Sequence, residues 1–478
     1  MGKFTFIDLF AGIGGFHRAL SCAGGELVAF SEIATDAVRA YCENFNEPET
    51  KNLGDITKLK DLPEHDFLTA GVPCQSWSIA GKKLGFDDDR GQLWNDTLYL
   101  LNKTRPKAFI FENVKGLADP RNTDALTYIM GRIKESGYYA KLFILNANDY
   151  GLPQSRVRMY IVGFREESYF KRFVLPSPCS HKLSLGAFLS NGEETTPCSG
   201  NERRFFDDCF YFNDLRDGET TIHSWDIEET TEKEKKICRL LLKNRRKRRY
   251  GMLDGNALSL EHFKDLDNSL TKEDLEALVA KKILKQVPYC YRRTGKDAEL
   301  SEAETDILKF CRNGILTVDE VKMDKHLKIL KINAQEVIDG LVGKGVLELS
   351  ELRYDFKNAK ISTGINGVTR IFLKTSETFP TLVASDTNDY IATADIAANT
   401  LSKYTLSEYK KAFLEKIYFP KKYRKITKEE ACLLQGFPAD FILPEPRHKW
   451  MKLIGNSVAV PVVEMLVRAV VNTGVFAE

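Results

Sequence analysis

The stretch Phe4-Thr-Phe-Ile-Asp-Leu-Phe-Ala-Gly-Ile-Gly-Gly15 joins an apolar run to a glycine-rich turn. Residues 4–10 are short and apolar enough to form a buried β-strand. After the turn, Phe16, Ala19 and Leu20 recur at helical spacing, which predicts a helix. A strand, a glycine-rich turn and a helix in this order can bring backbone N–H groups close to a ligand. A purely structural turn gives the same pattern, so this stretch alone leaves both interpretations open.

The alternation of strands and helices continues along the N-terminal part of the chain. Further strands are predicted at 27–30, 67–70, 108–111, 138–146 and 157–164, and helices at 34–44 and 121–136. This order over about 165 residues predicts an α/β fold with a doubly wound, mostly parallel sheet. Sheets of this kind bind ligands at the carboxyl ends of their strands.

Composition and charge exclude several classes of protein. The 478 residues carry 69 Lys plus Arg against 67 Asp plus Glu, so net charge gives no whole-chain argument for nucleic acid. Ten cysteines without a Cys-x-x-Cys pair or zinc spacing argue against a disulfide scaffold or a structural metal, and fit a reducing compartment. No signal peptide is predicted, and the most apolar stretch, 458–471, is broken by Glu464 and Arg468.

An acidic residue follows the second predicted strand. Glu32 lies 20 residues after Gly12, where a carboxylate can hold the hydroxyl pair of a ribose. A dinucleotide fingerprint would have glycine at position 17, but His17 is there. The pattern therefore favours a nucleoside-type cofactor over NAD.

A cysteine follows the third predicted strand, in Gly71-Val-Pro-Cys-Gln-Ser-Trp-Ser78. The motif places Cys74 at the carboxyl edge of the sheet, where a stabilised thiolate can act as a nucleophile. Taken alone, a single cysteine is more often a small buried side chain. The motif therefore predicts a nucleophile only in combination with other groups at the same edge.

Such groups follow later strands. Phe111-Glu-Asn-Val114 places Glu112 at the same edge, either as a general acid or as a helix cap. In Gln154-Ser-Arg-Val-Arg158, the spacing of two puts Arg156 and Arg158 on one face of a strand. Arginines in such positions usually pair with acids, which is the structural alternative to a catalytic role.

Taken together, these motifs resemble those of the C5-cytosine-specific DNA methyltransferases, specifically the bacterial restriction-modification (type II) kind. The stretches that carry the resemblance, in family order, are Phe6-Ile-Asp-Leu-Phe-Ala-Gly-Ile-Gly-Gly15, Gly54-Asp-Ile-Thr57, Gly71-Val-Pro-Cys-Gln75, Arg90-Gly-Gln-Leu93, Glu112-Asn-Val114, Gln154-Ser-Arg-Val-Arg158, Leu434-Gln-Gly-Phe-Pro438 and Gly455-Asn-Ser-Val458. The resemblance covers about 1–178 and 420–478, with Thr381-Leu-Val383 between them.

The resemblance implies a Rossmann-like S-adenosylmethionine methyltransferase fold in two segments. Residues 1–178 would form the first part of the catalytic domain, and 420–478 would complete it. A smaller mixed α+β target-recognition domain, 179–419, would be inserted between them, with an additional helical insertion at about 228–350. No internal repeat is apparent in the sequence.

The resemblance also implies the reaction. A methyl group would pass from S-adenosyl-L-methionine to C5 of a flipped-out cytosine in a specific double-stranded DNA sequence, leaving S-adenosyl-L-homocysteine. Cys74 would add to C6 of the base, and Glu112 would bind its N3 and N4 edge. Arg158 would hold the O2 side. Arg156 and Gln75 complete the implied catalytic set, and no metal is expected.

The implied cofactor residues lie in the same motifs. They are Phe10, Gly12, Gly14, Glu32, Ile33, Asp55, Ile56, Pro73, Leu93, Asn456, Ser457 and Val458. Phe10 would pack on the adenine, Glu32 would accept from the ribose hydroxyls, and Asp55 would accept from the adenine amino group.

Contacts to DNA are expected outside the cofactor motifs. Residues 76–93 would form a lid that closes on DNA, and the basic run 233–249 would contact phosphates, with a solvated helix face as the alternative. The candidate DNA-binding residues are Ser78, Arg90, Arg245, Arg246, Arg248 and Arg370. We expect a monomeric, cytoplasmic bacterial enzyme that binds double-stranded DNA and no membrane. Its pairing with a restriction endonuclease would be functional rather than necessarily physical.

Three alternatives compete with this interpretation. The related tRNA methyltransferases carry a Cys-Phe-Thr signature that is absent here. A DNA-binding protein with a degenerate catalytic domain is disfavoured by the intact set Cys74, Glu112 and Arg158. An NAD-dependent oxidoreductase is disfavoured by His17 and by the Cys74 motif.

Overall fold

The protein is described by a computed structural model that contains two compact units. It describes residues 3–73, 89–179, 183–189, 210–212, 214–216, 218, 220–324, 333–359, 367–396 and 405–477, without the side chains of 89–92 and 210–211. The first unit comprises Met1–Cys209 and Ile371–Glu478, and the second comprises Phe210–Arg370. The chain therefore leaves the first unit once and returns to it.

The first unit is built on a six-stranded sheet. In its first segment the strands are β1 (Phe4–Leu9), β2 (Gly25–Ser31), β3 (Phe67–Gly71), β4 (Ala108–Val114), β5 (Tyr139–Asn146), β6 (Gln154–Ser155) and β7 (Val157–Phe164). All of these strands except β6 form the six-stranded sheet, in the order β2-β1-β3-β4-β7-β5. Strands β1 to β4 run parallel, and β7 is antiparallel to both β4 and β5. The predicted α/β fold with a mostly parallel sheet is confirmed.

The described residues of the same segment form several α-helices. They are α1 (Gly15–Cys22), α2 (Thr35–Phe45), α3 (Asp89–Thr104), α4 (Thr123–Glu135), α5 (Glu167–Arg172) and α6 (Leu185–Leu189). Helix α1 begins where the sequence pattern places it, directly after the glycine-rich turn that follows β1.

The second unit mixes helices with strands. Its elements are β8 (Phe210–Phe212), β9 (Thr221–Ile222), α7 (Ser224–Ile227), α8 (Glu232–Asn244), α9 (Leu260–Leu266), α10 (Lys272–Ala280), β10 (Leu284–Arg293), α11 (Glu302–Leu308), β11 (Ile315–Thr317), α12 (Val318–Met323), α13 (Ala334–Gly343) and β12 (Leu347–Phe356). The stretch 228–350, predicted to be mostly helical, therefore also contains strands. Strand β10 was not predicted because Pro288 interrupts its alternation of apolar and polar residues. Its partner β12 also lies more than 50 residues further along the chain.

The second unit contains an internal duplication. The element order helix, short extended segment, helix, helix, long strand occurs twice, in 231–293 and in 301–356. The two long strands, β10 and β12, pair antiparallel along their whole length. The short extended segment of each repeat pairs with the long strand of the other repeat. Leu258 bridges Tyr354 of β12, and Leu316 pairs with Tyr291 of β10. The expectation of no internal repeat is therefore wrong.

Equivalent side chains make the same contacts in both repeats. Thr231 caps α8 in a reciprocal capping box with Glu234, and Ser301 caps α11 with Glu304 in the same way. Lys281 Nζ bonds Glu234 at 2.8 Å and the Glu229 carbonyl at 2.7 Å. Its counterpart Lys344 bonds Glu304 at 2.7 Å and the Glu299 carbonyl at 2.9 Å. Such a set of matched contacts is evidence of a true structural repeat.

The return to the first unit adds the remaining elements. They are β13 (Thr369–Phe372), β14 (Phe379–Pro380), β15 (Asp389–Ala392), α14 (Leu406–Phe413), β16 (Tyr423–Arg424), α15 (Lys428–Gln435), α16 (Arg447–Asn456) and α17 (Val460–Val471). By length and composition, one stretch of the described chain, Arg447–Val471, could cross a membrane, but 67% of its most apolar part is buried inside the protein.

Both faces of the six-stranded sheet are covered. Phe4 and Phe6 of β1 pack into one core with α1, α2 and α17, whereas Ile7 and Leu9 pack into a second core with α3 and α4. Helix α17 contributes Val462, Val463, Leu466, Val467 and Val470 to the first of these cores. The C-terminal segment is therefore part of the same hydrophobic core as the N-terminal motif.

The fit of the return segment can be tested at one glycine. A Cβ atom added to Gly455 in α16 would lie 2.5 Å from the backbone nitrogen of Ala384, which cannot rotate away. We expect Gly455→Ala to destabilise the first unit by about 1–3 kcal/mol, as overpacking does. The matched control is Gly131→Ala in α4, where the new Cβ meets nothing within 4 Å. That variant should gain about 0.5–1 kcal/mol. Thermal unfolding of both variants gives the comparison, and equal shifts would contradict the close approach.

Candidate active site

A cavity of 920 Å³ lies in the first unit at the carboxyl ends of β1, β2, β3 and β4. Nine of the predicted cofactor residues line it, namely Phe10, Gly12, Glu32, Ile33, Asp55, Ile56, Pro73, Leu93 and Asn456. The predicted catalytic residues Glu112, Arg156 and Arg158 line the same cavity. The structure therefore brings together residues that lie up to 446 positions apart in the sequence.

The turn after β1 has a backbone that most residues avoid. Phe10 and Gly12 have φ angles of +53° and +56°. The N–H of Gly12 donates to Glu32 Oε2 at 2.9 Å, and the N–H groups of Ile33 and Ala34 donate to Glu32 Oε1 at 2.8 Å each. The Glu32 carboxylate thus fixes both the turn and the start of α2. Because a carboxylate oxygen accepts two hydrogen bonds, Oε2 keeps one acceptor position for a ligand.

Three predicted cofactor residues are not among those that line the cavity: Gly14, Ser457 and Val458. They serve the packing of α1. A Cβ on Gly14 would overlap the ring of Phe45, and a Cβ on Gly15 would approach Val458 to 2.7 Å and Ser457 Oγ to 2.9 Å. These positions are set by the close approach of the C-terminal segment to the first motif.

Glu112 and Arg158 form an ion pair in the cavity wall. Arg158 Nε lies 3.1 Å from Glu112 Oε1, and both side chains are almost buried. Burial raises the pKa of Glu112 above its ordinary value, and the charges of Arg158 and Arg156 oppose this shift. A carboxyl group whose pKa is raised by burial is a candidate proton donor to a bound polar ligand.

Arg156 has a different position from Arg158. Its guanidinium donates to the carbonyl oxygens of Leu382 at 3.0 Å, Gly455 at 3.1 Å and Ser457 at 2.5 Å. Burial, and then the charge of Arg158, lower its pKa to about 9. Arg156, predicted as part of the catalytic set, is therefore a positioning residue that holds the return segment. The expectation that it would pair with an acid is also wrong, since backbone carbonyls are its hydrogen-bond partners.

Two amides that the sequence argument did not assign have clear structural roles. Gln154 Nε2 donates to the Leu434 carbonyl at 2.6 Å, which adds a second tie to the return segment. Asn113 Nδ2 donates to the Val72 carbonyl at 3.2 Å, and so fixes the backbone directly before Pro73. Both residues lie within motifs that the sequence resemblance includes, and this position was the sequence signal for their importance.

A basic group from α16 was also missed. His448, Lys449 and Lys452 line the cavity, and Lys449 lies 3.1 Å from Asp36 Oδ2. The sequence signal was slight, because only residues 455–458 of this region matched a motif.

Several predicted residues lie outside the described part of the chain. These are Cys74, Gln75 and Ser78 entirely, and the side chain of Arg90. Pro73, the last described residue before Cys74, lines the cavity. The predicted lid, 76–93, lies largely outside the described residues as well.

The predicted DNA-contacting arginines of the second unit divide into two kinds. Arg245 is only 8% exposed and pairs with Asp355 at 3.1 Å, so it lacks the free surface expected of it. Arg246 and Arg248 are exposed. Arg370 is half-buried at the end of this unit.

Comparison with known proteins defines the class of this protein. A family model described as C-5 cytosine-specific DNA methylase matches residues 4–472. The chain belongs to this family and is a DNA (cytosine-5-)-methyltransferase, as the sequence resemblance predicted.

Two relatives match over almost the whole chain. The type II methyltransferase M.HgiBI of Herpetosiphon aurantiacus is 38% identical over 98% of this chain and 97% of its own length. M.NlaIV of Neisseria lactamica, also a type II methyltransferase, is 29% identical over 99% of this chain and its full length. M.HhaI of Haemophilus parahaemolyticus is 42% identical over a shorter region, 36% of this chain and 53% of its own length.

A buried carboxyl in β1 lies beside the cavity motif. Asp8 is fully buried, and Thr69 Oγ1 donates to its Oδ1 at 2.9 Å. Burial raises the pKa of Asp8 to about 8; the Thr69 hydrogen bond opposes the shift and the charge of Glu32 adds to it. The strand before the glycine-rich turn therefore carries a neutral carboxyl at pH 7.

This carboxyl predicts a pH dependence of stability. A folded-state pKa above the unfolded value of about 3.9 means that the contribution of Asp8 is complete below pH 4 and is lost as pH rises through about 8. Asp8→Asn keeps the acceptor for Thr69 and cannot ionise. We therefore expect its free energy of unfolding, relative to wild type, to rise between pH 5 and pH 9, as measured by chemical denaturation.

The control for this prediction has the opposite sign. Burial raises the pKa of Asp66, but hydrogen bonds from Thr5 and the pairing with Lys107 outweigh it and lower the pKa overall. Asp66→Asn should therefore cost stability at neutral pH, and the cost should shrink as pH falls. Parallel pH profiles for the two variants would refute the assignment of Asp8.

Proposed function

We propose that this enzyme transfers a methyl group from S-adenosyl-L-methionine to C5 of a flipped-out cytosine in a specific double-stranded DNA sequence, through a covalent bond between Cys74 and C6. The observation that carries the proposal is the composition of one cavity. Carboxylates suited to a nucleoside and the buried pair Glu112–Arg158 line the same space, and Pro73 leads from it directly into Cys74.

The chemistry of the cavity fits the cofactor. Glu32 keeps an acceptor position for a ribose hydroxyl. Asp55 is half-buried, and hydrogen bonds from the side chain and backbone of Thr57 lower its pKa, so it is an ionised acceptor for an amino group. Phe10, Ile56 and Leu93 supply apolar surface for an adenine ring. The cofactor contributes an electrophilic methyl group, and all other functions fall to the protein.

The mechanism assigns one task to each polar group of the chain. The Cys74 thiolate forms a bond to C6 of the cytosine, which breaks the ring conjugation and moves an electron pair onto C5. Glu112, whose pKa is raised by burial, donates a proton to N3 and stabilises the adduct. Arg158 donates to O2 and keeps Glu112 in place. C5 then takes the methyl group, and loss of its proton to a base and elimination of Cys74 restore the ring.

Asn113 and Arg156 support this chemistry without contact to the base. Asn113 anchors the Val72 carbonyl, two residues before the nucleophile. Arg156 holds Gly455 and Ser457 beside the cavity, where Asn456 is a candidate cofactor contact. The cytosine must leave the duplex to reach Cys74, so base flipping is part of the proposal.

The biological role follows from the relatives. Their description as type II methyltransferases supports a role in protecting host DNA within a restriction-modification system. We propose that the protein acts as a monomer in the bacterial cytoplasm, associated with the nucleoid through DNA. Its cognate endonuclease would share the recognition sequence without a required physical contact.

The nucleophile can be tested by mapping and by trapping. Expression of the wild-type gene should place 5-methylcytosine in one sequence context of the host DNA, whereas Cys74→Ala should place none. A duplex with 5-fluorocytosine at that position should form a stable adduct with wild type, because no C5 proton can leave. Cys22→Ala removes an exposed free cysteine and should retain both activities. Methylation by Cys74→Ala would refute the mechanism.

The cofactor assignment predicts a second outcome. Glu32→Ala removes a charged acceptor from the ribose position, and we expect binding of S-adenosyl-L-homocysteine to weaken by roughly 10- to 100-fold, about 1.5–3 kcal/mol. Glu43→Ala, on the exposed side of α2 where Glu43 pairs with Arg39, is the control and should bind as wild type. Titration calorimetry measures both. Unchanged affinity in Glu32→Ala would remove Glu32 from the cofactor site.

A further inference from the structure

We propose that the second unit holds phosphate groups of the DNA backbone in a basic cavity, built by an insertion that only one of its two repeats carries. The ligand class rests on the proposed function, since DNA is the polyanion on which this enzyme acts. The cavity has a volume of 530 Å³ and lies between the start of the unit and the end of α8. Phosphate contacts of this kind supply affinity and are independent of sequence.

The cavity is positively charged. Its wall includes Arg216, Lys243, Arg245 and Arg246, together with the hydroxyl groups of Thr220 and Thr221. Among the residues described in its wall there is no acidic side chain. Guanidinium, ammonium and hydroxyl donors converging on one space are the groups that bind phosphate oxygens.

Arg245 gives an independent indication of a ligand. The side chain is 8% exposed, and its charge is balanced on one side by Asp355 at 3.1 Å. Its Nε is buried and has no hydrogen-bond partner among the residues that the structure describes. A buried N–H without an acceptor costs free energy, and an anionic oxygen in the cavity would supply that acceptor.

The positive charges of the basic run are neutralised unevenly. Lys233 pairs with Asp274, and Lys236 pairs with Asp267. From Lys243 onward the pattern changes, because within the described part of the chain neither Lys243 nor Lys247 nor Arg248 has an acidic side chain within 4.0 Å. The predicted basic run 233–249 therefore resolves into a paired helix face and a partly paired end. At that end Arg245 lies 3.1 Å from Asp355 and Arg246 lies 3.8 Å from Asp254, and the cavity is found there.

The duplication shows that folding does not require this basic end. From the capping residue to the exchanged leucine, the first repeat has 28 residues, Thr231 to Leu258, and the second has 16, Ser301 to Leu316. The longer connection of the first repeat includes the cations from Lys243 to Arg249. In the second repeat the corresponding connection has two cations, Lys309 and Arg312, and both face acids, at 2.5 Å and 3.7 Å. The same framework therefore forms without an unpaired basic segment.

The matched connections provide the test. The variant Lys243→Glu/Arg246→Glu changes two exposed cations of the cavity, and Lys309→Glu/Arg312→Glu makes the same change in the other repeat. Binding to a fluorescent duplex is measured by anisotropy at several salt concentrations. We expect the cavity variant to lose at least about tenfold in affinity, and the slope of log K against log salt to fall by about 1–2. The control variant should lose markedly less.

Three further readouts separate this proposal from its alternatives. The preference for target over non-target duplex should be unchanged, since backbone contacts carry no sequence information. Thermal unfolding and S-adenosyl-L-homocysteine binding should be as in wild type, which excludes misfolding. Equal losses in both variants would overturn the proposal. If inorganic phosphate stabilises wild type but not the cavity variant, while DNA affinity is the same in both, the cavity holds a free anion and the DNA assignment is wrong.

The proposed catalytic function has a separate test in the mapping of 5-methylcytosine. Absence of methylation by wild type, with salt-dependent duplex binding that the cavity variant weakens, would reject the function and keep the phosphate site. Methylation by wild type, with unaltered duplex binding by the cavity variant, would keep the proposed function and reject the phosphate site.

Discussion

The three hydrogen bonds from Arg156 to the carbonyls of Leu382, Gly455 and Ser457 are the constraint on which the rest of the first unit depends. A buried guanidinium must have its donors satisfied, and the carbonyls that satisfy it belong to the return segment. The side-chain amide of Gln154 likewise donates to the Leu434 carbonyl of the return segment. The cavity is therefore complete only when the C-terminal helices, which follow the second unit in the sequence, pack against the first segment. The need to satisfy these buried donors thus links the cofactor site and the hydrophobic core to the path of the chain.

Three carboxyl groups in or beside the cavity have different surroundings. Asp8 is buried with one hydroxyl donor, so it is neutral. Glu32 receives three backbone N–H groups and can remain an acceptor. At Glu112, burial raises the pKa and two nearby arginines oppose this shift. An acceptor for a nucleoside and a proton donor for a base can thus line one space.

The sequence predicted the sheet and the cavity well because the relevant signals are local. A strand, its glycine-rich turn and Glu32 lie within 32 residues, and parallel strands bring their ends to one edge without further information. The role of Arg156 could not be predicted in this way. Its spacing from Arg158 fits a shared strand face, and only the return of a segment more than 200 residues later shows that its partners are carbonyls. The duplication left a weak signal in the sequence, namely a Thr/Ser-Glu-x-Glu cap and a Leu-Val-x-Lys-x-Ile/Val-Leu pattern at 278–284 and 341–347.

The exchange of extended segments in the second unit makes each repeat depend on the other. Leu258 needs Tyr354, and Leu316 needs Tyr291, so either repeat alone would expose the edge of its long strand and leave its short segment without a partner. Two identical copies would satisfy each other through a two-fold axis at the centre of the β10–β12 ladder, as in an isologous dimer. The second unit therefore has the pairing of an isologous dimer within one chain, and this pairing accepts a longer connection in one repeat than in the other.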